Sequence, residues 1–221
     1  MFGLEVAQGL AFTALLILAA TVALARPSLS QHRPRESVAT EGGVPQWTEI
    51  VWLAAVSILL LYTLLVLLVP HPTYLGPWTF GFPGDEIVQA VGFVVWVGGA
   101  LLAGWALRTL GRYTTVKIQI TETQPIVRSG PYRWIRHPMY SAILFLSIGT
   151  TLLFLSPVVA IDAIVLFALA EYRATVEERM FTRSPRLGAE YERLMAETGR
   201  FLPGRPRGEP RTPDTPVRKD R

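Results

Sequence analysis

The sequence predicts an all-α integral membrane protein with five transmembrane segments, the last two forming a helical hairpin. Three observations carry that prediction. Half of the 221 residues are apolar and only 17% are charged, against about 25% in an ordinary soluble domain. The apolar residues gather into four long runs. If the chain crosses a bilayer at each segment, every Lys and Arg falls on one side.

The first run is residues 6–25, the second 50–69, without a charge, and the third 87–107. The fourth, residues 140–170, has 31 residues, whereas about 20 suffice to cross ~30 Å of hydrocarbon. Ser156-Pro157 interrupts it. Proline removes a helix donor and disfavours helix in the residue before it. Residues 140–155 and 158–170 therefore read as two short helices joined by a tight turn.

Charge sets the orientation. The loop after the first segment holds Arg26, Arg33 and Arg35, and the next loop holds no basic residue. The third carries Arg108, Arg112, Lys117, Arg128, Arg133 and Arg136, and twelve more basic residues follow Ala170. By the positive-inside rule this side is cytoplasmic, with the N-terminus outside and the C-terminus inside. The net charge of +4 is thereby assigned to topology and anionic lipid, not nucleic acid. A cleaved signal peptide is the rival reading of the start, because Ala23-Leu24-Ala25 resembles a cleavage site. Glu5 and the lack of a basic residue before the run oppose it.

There is no Cys, which excludes disulfides, thiolate metal sites, a Cys nucleophile and a lipidated Cys. His32, His71 and His137 are scattered, so no metal is expected. Nineteen Arg against two Lys fits a GC-rich genome, and the expected location is a bacterial plasma membrane. Gly99/Ala103 and Ala100/Gly104 lie inside the third segment at the spacing of close helix contacts. No G-x-G-x-x-G pattern supports a Rossmann cofactor fold. Asp162 is an intramembrane acid near the hairpin tip, where it either serves function or meets water.

Chemistry is expected in the cytoplasmic stretch 109–139, too long for a mere connector. Its centre, residues 114–121, alternates and is β-branched, and Ser129-Gly130-Pro131 marks a turn. The stretch then delivers Tyr132, Trp134, Arg136, His137 and Pro138 into a membrane helix. Pro138 suits the first helical position, and a helix start favours an anionic group. Aromatic residues with Arg at a membrane boundary are also ordinary interfacial anchors. If the last membrane helix continues, Arg173 and Glu177 lie one turn apart on one face, which is also the geometry of a simple helix salt bridge. Ser184-Pro185 reads as the cap and first residue of a short amphipathic helix bearing Leu187, Tyr191, Leu194 and Phe201, with Gly199 as its stop. The Pro- and Arg-rich tail, residues 204–221, reads as disordered.

The run Ser129-Gly130-Pro131-Tyr132-Arg133-Trp134-Ile135-Arg136-His137-Pro138-Met139-Tyr140 is followed by the Pro157 hairpin, Glu177-Glu178, Tyr191 and Phe201-Leu202-Pro203. Together these resemble the isoprenylcysteine carboxyl methyltransferase family, related to the phospholipid N-methyltransferases. Residues 105–112 are similar to the family's entry into its cytoplasmic loop. The likeness spans residues 105–203, which divides the chain into N-terminal membrane segments (1–104), a methyltransferase core (105–203) and the tail.

The resemblance implies a membrane-embedded methyltransferase with S-adenosyl-L-methionine in a cytoplasmic pocket. Its substrate is an amphiphilic or small molecule that presents a carboxylate, amine or thiol. By position, the cofactor contacts would be Lys117, Gln124, Pro125, Ile126, Val127, Tyr132, His137, Pro138, Met139, Tyr140 and Glu177. Arg173 would approach the substrate. Ala142 stands where the family often has Gly, Lys117 replaces a neutral amide of the eukaryotic enzymes, and the stretch between Glu178 and Tyr191 is slightly longer than usual. The alternatives are a phospholipid N-methyltransferase, a small-thiol S-methyltransferase, a nicotinamide-dependent membrane reductase, or a non-catalytic membrane protein of the same fold.

Overall fold

The computed structural model describes residues 1–29, 45–76, 79–111 and 126–204. Residues 114–121, Lys117, Gln124, Pro125 and the tail beyond Gly204 lie outside these. The regular elements among the described residues are helical: α1 (Leu4–Leu29), α2 (Gln46–Leu68), the short α3 (Pro70–Tyr74), α4 (Asp85–Leu110), a 3-10 turn (Gly130–Arg133), α5 (Pro138–Phe154), α6 (Pro157–Arg183) and α7 (Gly188–Glu197).

Three helices are long and apolar enough to cross a membrane: Leu4–Ala25, Trp47–Leu68 and Asp85–Leu110. Pro138–Phe154 is apolar but shorter. Large apolar side chains face outward along α4 at Ile87, Val94 and Leu101, each at least 65% exposed, which suits a lipid surround. On α6, Ile161 and Ile164 do the same.

The hairpin turns where the sequence places it. Leu155 adopts a left-handed conformation (φ 50°), Ser156 caps α6 by accepting from the Val159 N–H, and Pro157 takes its first turn. Helix α6 does not stop where its apolar run ends. It continues from Ala170 to Arg183, so the lower half of one helix carries Glu171, Arg173, Glu177 and Glu178. Its inward stripe of Val159, Asp162, Leu166, Ala170, Arg173, Ala174, Glu178 and Phe181 follows the 3.6-residue period.

Helices α4 and α5 form the most extensive pair. A Cβ on Gly149 would lie 2.6 Å from the Trp96 backbone nitrogen, and one on Gly92 would lie 2.5 Å from that of Leu153. Only glycine lets the backbones approach so closely, as the small-residue spacing in α4 anticipates. A Cβ on Gly99 would lie 3.0 Å from the Ala142 carbonyl oxygen, so α4 also meets the α5 backbone at buried Ala142.

One sequence expectation is overturned. Ser184-Pro185 does not begin the final helix. Ser184 closes α6, its N–H bonding to the Phe181 carbonyl, and its own carbonyl accepts from the Gly188 N–H at 2.9 Å. Helix α7 starts at Gly188 with Leu187 as its cap. Backbone groups at the end of α6 thus claim the residue whose side chain looked like a cap. Phe201 likewise lies beyond α7 and packs elsewhere.

Candidate active site

The site forms where α5 begins. The 3-10 turn Gly130–Arg133 precedes it, with Gly130 at φ 57°, a value L side chains rarely adopt. Residues 134–137 then lie against the segment following α7, where Ile135 bridges Gly199. Gly199 N–H bonds to the Trp134 carbonyl (3.0 Å), Arg136 N–H to that of Gly199 (2.8 Å), and His137 N–H to that of Arg200 (3.1 Å). This strap fixes His137 as the residue before Pro138, the first of α5. The expected helix start is therefore present.

Helix α6 brings its acids to this point. His137 is 5% exposed. Its Nδ1 lies 3.6 Å from Glu177 Oε2, and its Nε2 lies 3.3 Å from Glu178 Oε1. The Tyr140 hydroxyl donates to Glu177 Oε2 at 3.4 Å, and the Tyr140 ring stacks on the imidazole with centroids 5.4 Å apart.

The two glutamates differ sharply. Glu178 is 5% exposed at its side chain and is held by Arg136 Nε at 3.0 Å, by Arg200 Nε at 3.2 Å and by Arg200 Nη2. Burial pushes its carboxyl pKa up, but hydrogen bonds from His137, Arg200 and Arg136 overrule it and hold the group down at about 2. Arg200 also reaches Glu171 Oε2 at 2.6 Å and Thr175 Oγ1 at 3.3 Å. Arg136 donates onward to the Met195 carbonyl at 3.1 Å and to that of Thr198. Glu178 is the centre of a knot tying α6 to the strap. Glu177, 30% exposed at its side chain, keeps a face open to a ligand. It also raises the Tyr132 hydroxyl pKa, after the larger effect of burial.

The knot has a pH signature. With its folded pKa depressed from 4.5 to about 2, Glu178 contributes stability that is complete above pH 4.5 and lost as pH falls toward 2. Glu178→Gln should destabilise the detergent-solubilised protein at pH 7 by about 2 kcal/mol, the loss of charge-assisted hydrogen bonds. Thermal melting should show its gap from wild type closing between pH 4.5 and 2. A gap constant across that window would mean the carboxylate charge contributes nothing.

Arg173 is 2% exposed and lies one turn before Glu177 on α6. Its guanidinium sits over the Trp52 indole at 5.4 Å, beside the Tyr140 hydroxyl. Tyr132, His137, Pro138, Met139, Tyr140, Glu177 and Arg173 thus gather around the α5 start and the middle of α6. Ile126 instead packs against the cluster of Phe181, Leu187, Tyr191 and Leu194, and Val127 is half-buried beside it in sequence. Sequence reasoning missed the roles of Glu178, Arg136 and Arg200, and missed Trp52. Arg136 and Glu178 stand inside the recognisable motifs. Arg200 carries only the weak signal of preceding Phe201-Leu202-Pro203, and Trp52 carries none.

An apolar groove of about 540 Å³ runs between α5 and α6, lined by residues including Leu144, Phe145, Ile148, Ile164, Phe167 and Leu202. Phe201 also lines it, and that ring packs on His137 (6.2 Å) and Tyr140 (6.5 Å). The arrangement joins an open acid, a helix start, a buried cation and an apolar channel. No group of three or more His, Asp or Glu among the described residues could hold a metal ion.

Part of the chain is similar to known proteins. Residues 90–183 match the model of the isoprenylcysteine carboxyl methyltransferase (ICMT) family. The chain is 33% identical over 103 residues to protein-S-isoprenylcysteine O-methyltransferase A of Arabidopsis thaliana, covering 44% of this chain and 52% of that protein. It is 32% identical over 120 residues to the B protein of the same plant, covering 52% and 60% respectively. A 40-residue stretch, 18% of this chain and 24% of the relative, is 40% identical to the uncharacterized protein YpbQ of Bacillus subtilis. The chain spans about half the length of the curated relatives it matches.

Proposed function

We propose that this chain, a member of the isoprenylcysteine carboxyl methyltransferase family through its residues 90–183, is a membrane-embedded methyltransferase that uses S-adenosyl-L-methionine to esterify the carboxylate of an amphiphilic acid. The observation that carries the reading is the buried cation Arg173, one helical turn before the open acid Glu177, in a cluster whose His137 and Tyr140 rings pack on Phe201, a lining residue of the apolar groove. A cation buried there suits an anionic acceptor and repels an ammonium one. The groove suits an acyl- or prenyl-like tail.

The donor set fits the cofactor. Glu177, partly open in an otherwise buried cluster, suits an ammonium group or ribose hydroxyls. The free N–H groups at the start of α5, with His137, suit a carboxylate. Tyr132, Met139 and Tyr140 would complete the wall. Bound there, S-adenosyl-L-methionine supplies an electrophilic methyl carbon on a sulfonium. The protein's own contribution is placement. His137 and Tyr140 hold Glu177 in position, and the Glu178 knot holds His137. Arg173 orients the acceptor carboxylate, which is already anionic and needs no general base. Reacting atoms held ~3–3.5 Å apart gain most of the available acceleration from positioning alone. Helices α5 and α6 complete five crossings of a bacterial plasma membrane, with residues 105–203 as the methyltransferase core, the pocket cytoplasmic and the N-terminus outside.

The test uses methyl-labelled S-adenosyl-L-methionine and N-acetyl-S-farnesyl-cysteine with the purified protein. Label should enter the lipid phase and be released as methanol by mild alkali, the signature of an ester. Failure to label this acid, with alkali-stable label appearing instead on an added amine- or thiol-bearing amphiphile, would overturn the carboxylate reading. Topology is checked separately: a reporter fused after Arg221 should be active only in the cytoplasm, and activity on the outer side would reverse the orientation.

A further inference from the structure

We infer that Trp52 of α2 is a positioning residue of the substrate site, holding the plane of the Arg173 guanidinium that meets the acceptor carboxylate; this rests on the proposed role of Arg173. Trp52 lies outside the segment that matches the family, yet it is 6% exposed and part of the main hydrophobic core cluster. Its indole takes the Arg173 guanidinium on its ring, with the Cζ atom 5.4 Å from the centroid. The same indole meets the Tyr140 ring at 5.3 Å and 74°, edge to face. Tyr140 in turn donates to Glu177. One side chain of α2 therefore contacts the residue proposed for substrate and the residue leading to the proposed cofactor acid.

The physical reason is the shape of the cation. A guanidinium donates only within its plane, so the tilt of that plane decides where its N–H groups point. Arginine's side chain has several rotatable bonds and ordinarily pays entropy to hold one tilt. A desolvated indole face favours a parallel guanidinium, and the edge contact with Tyr140 limits the swing of the indole itself. Leucine or methionine would keep the position apolar but offer no face. The site is thus composite: α5 and α6 supply its charges, and α2 supplies the surface that aims one of them.

The test compares binding of N-acetyl-S-farnesyl-cysteine with that of its methyl ester, in detergent and with S-adenosylhomocysteine present. The ratio of the two affinities reads the Arg173–carboxylate contact without requiring turnover. Wild type should prefer the acid, and Arg173→Ala should abolish the preference. Trp52→Leu should cut it about tenfold, and Trp52→Phe, which keeps a ring, about threefold or less. Affinity for S-adenosylhomocysteine should stay within about twofold in the Trp52 variants, since the cofactor acid is not what the indole aims. Trp52→Met, unbranched and adaptable, guards against misfolding and should behave as Trp52→Leu does. Wild-type preference in Trp52→Leu and Trp52→Met, or a parallel loss of S-adenosylhomocysteine affinity, overturns the role of Trp52 alone. A preference absent from wild type, or surviving Arg173→Ala, overturns the reading of Arg173 and this inference with it.

Discussion

Glu177→Ala is expected to lower the affinity for S-adenosyl-L-methionine by roughly 10- to 150-fold, the loss of about 1.5–3 kcal/mol from charge-assisted hydrogen bonds. Isothermal calorimetry on the detergent-solubilised variant measures it. The expectation rests on the contrast between neighbours, since Glu177 is 30% exposed at its side chain and Glu178 only 5%. His137→Ala should fall in the same range for affinity, but with a lower melting temperature. Its ring lies between the two carboxylates and its loss disturbs the Arg136–Glu178–Arg200 knot as well. Wild-type affinity in a folded Glu177→Ala protein would remove the acid from the cofactor site.

Arg173→Ala is expected to depress methyl transfer by about two orders of magnitude, with cofactor affinity nearly unchanged. Truncating one partner of a buried charged contact costs about 2–5 kcal/mol, and here the partner would be the acceptor carboxylate. Arg173→Lys keeps the charge but loses the planar fork, so turnover should fall there too. Arg173 also lies one turn before Glu177, where it could merely hold that acid. On that account Arg173→Ala would weaken cofactor binding as much as Glu177→Ala does. Measuring affinity and turnover on both variants decides between the two accounts.

The fold was legible where it depends on composition and local sequence. Long apolar runs, the Ser156-Pro157 break and Pro138 at a helix start each act through solvent transfer or backbone sterics within a few residues. The small residues of α4 announced close packing for the same reason. Ser184-Pro185 misled because its cap signal is local, whereas the α6 backbone extends far enough to use Ser184 as its end. The family motifs marked His137, Tyr140, Arg173 and Glu177, residues that the structure does bring together.

By itself, then, the sequence determined an all-helical membrane protein, a hairpin at Pro157 and a polar cluster where α5 begins. Only the tertiary structure decided which of two adjacent glutamates stays open, because that turns on partners 22 and 42 residues away. Arg200 reaches Glu178 from the strap beyond α7, and Arg136 reaches it from the stretch before α5. Neither separation has a period that a helix or strand would print on the sequence. The same holds for Trp52, whose apolar run in α2 says only that it is buried. Its contact with Arg173 comes from helix packing across the bundle, where side chains distant in sequence are set face to face by the shape of the core.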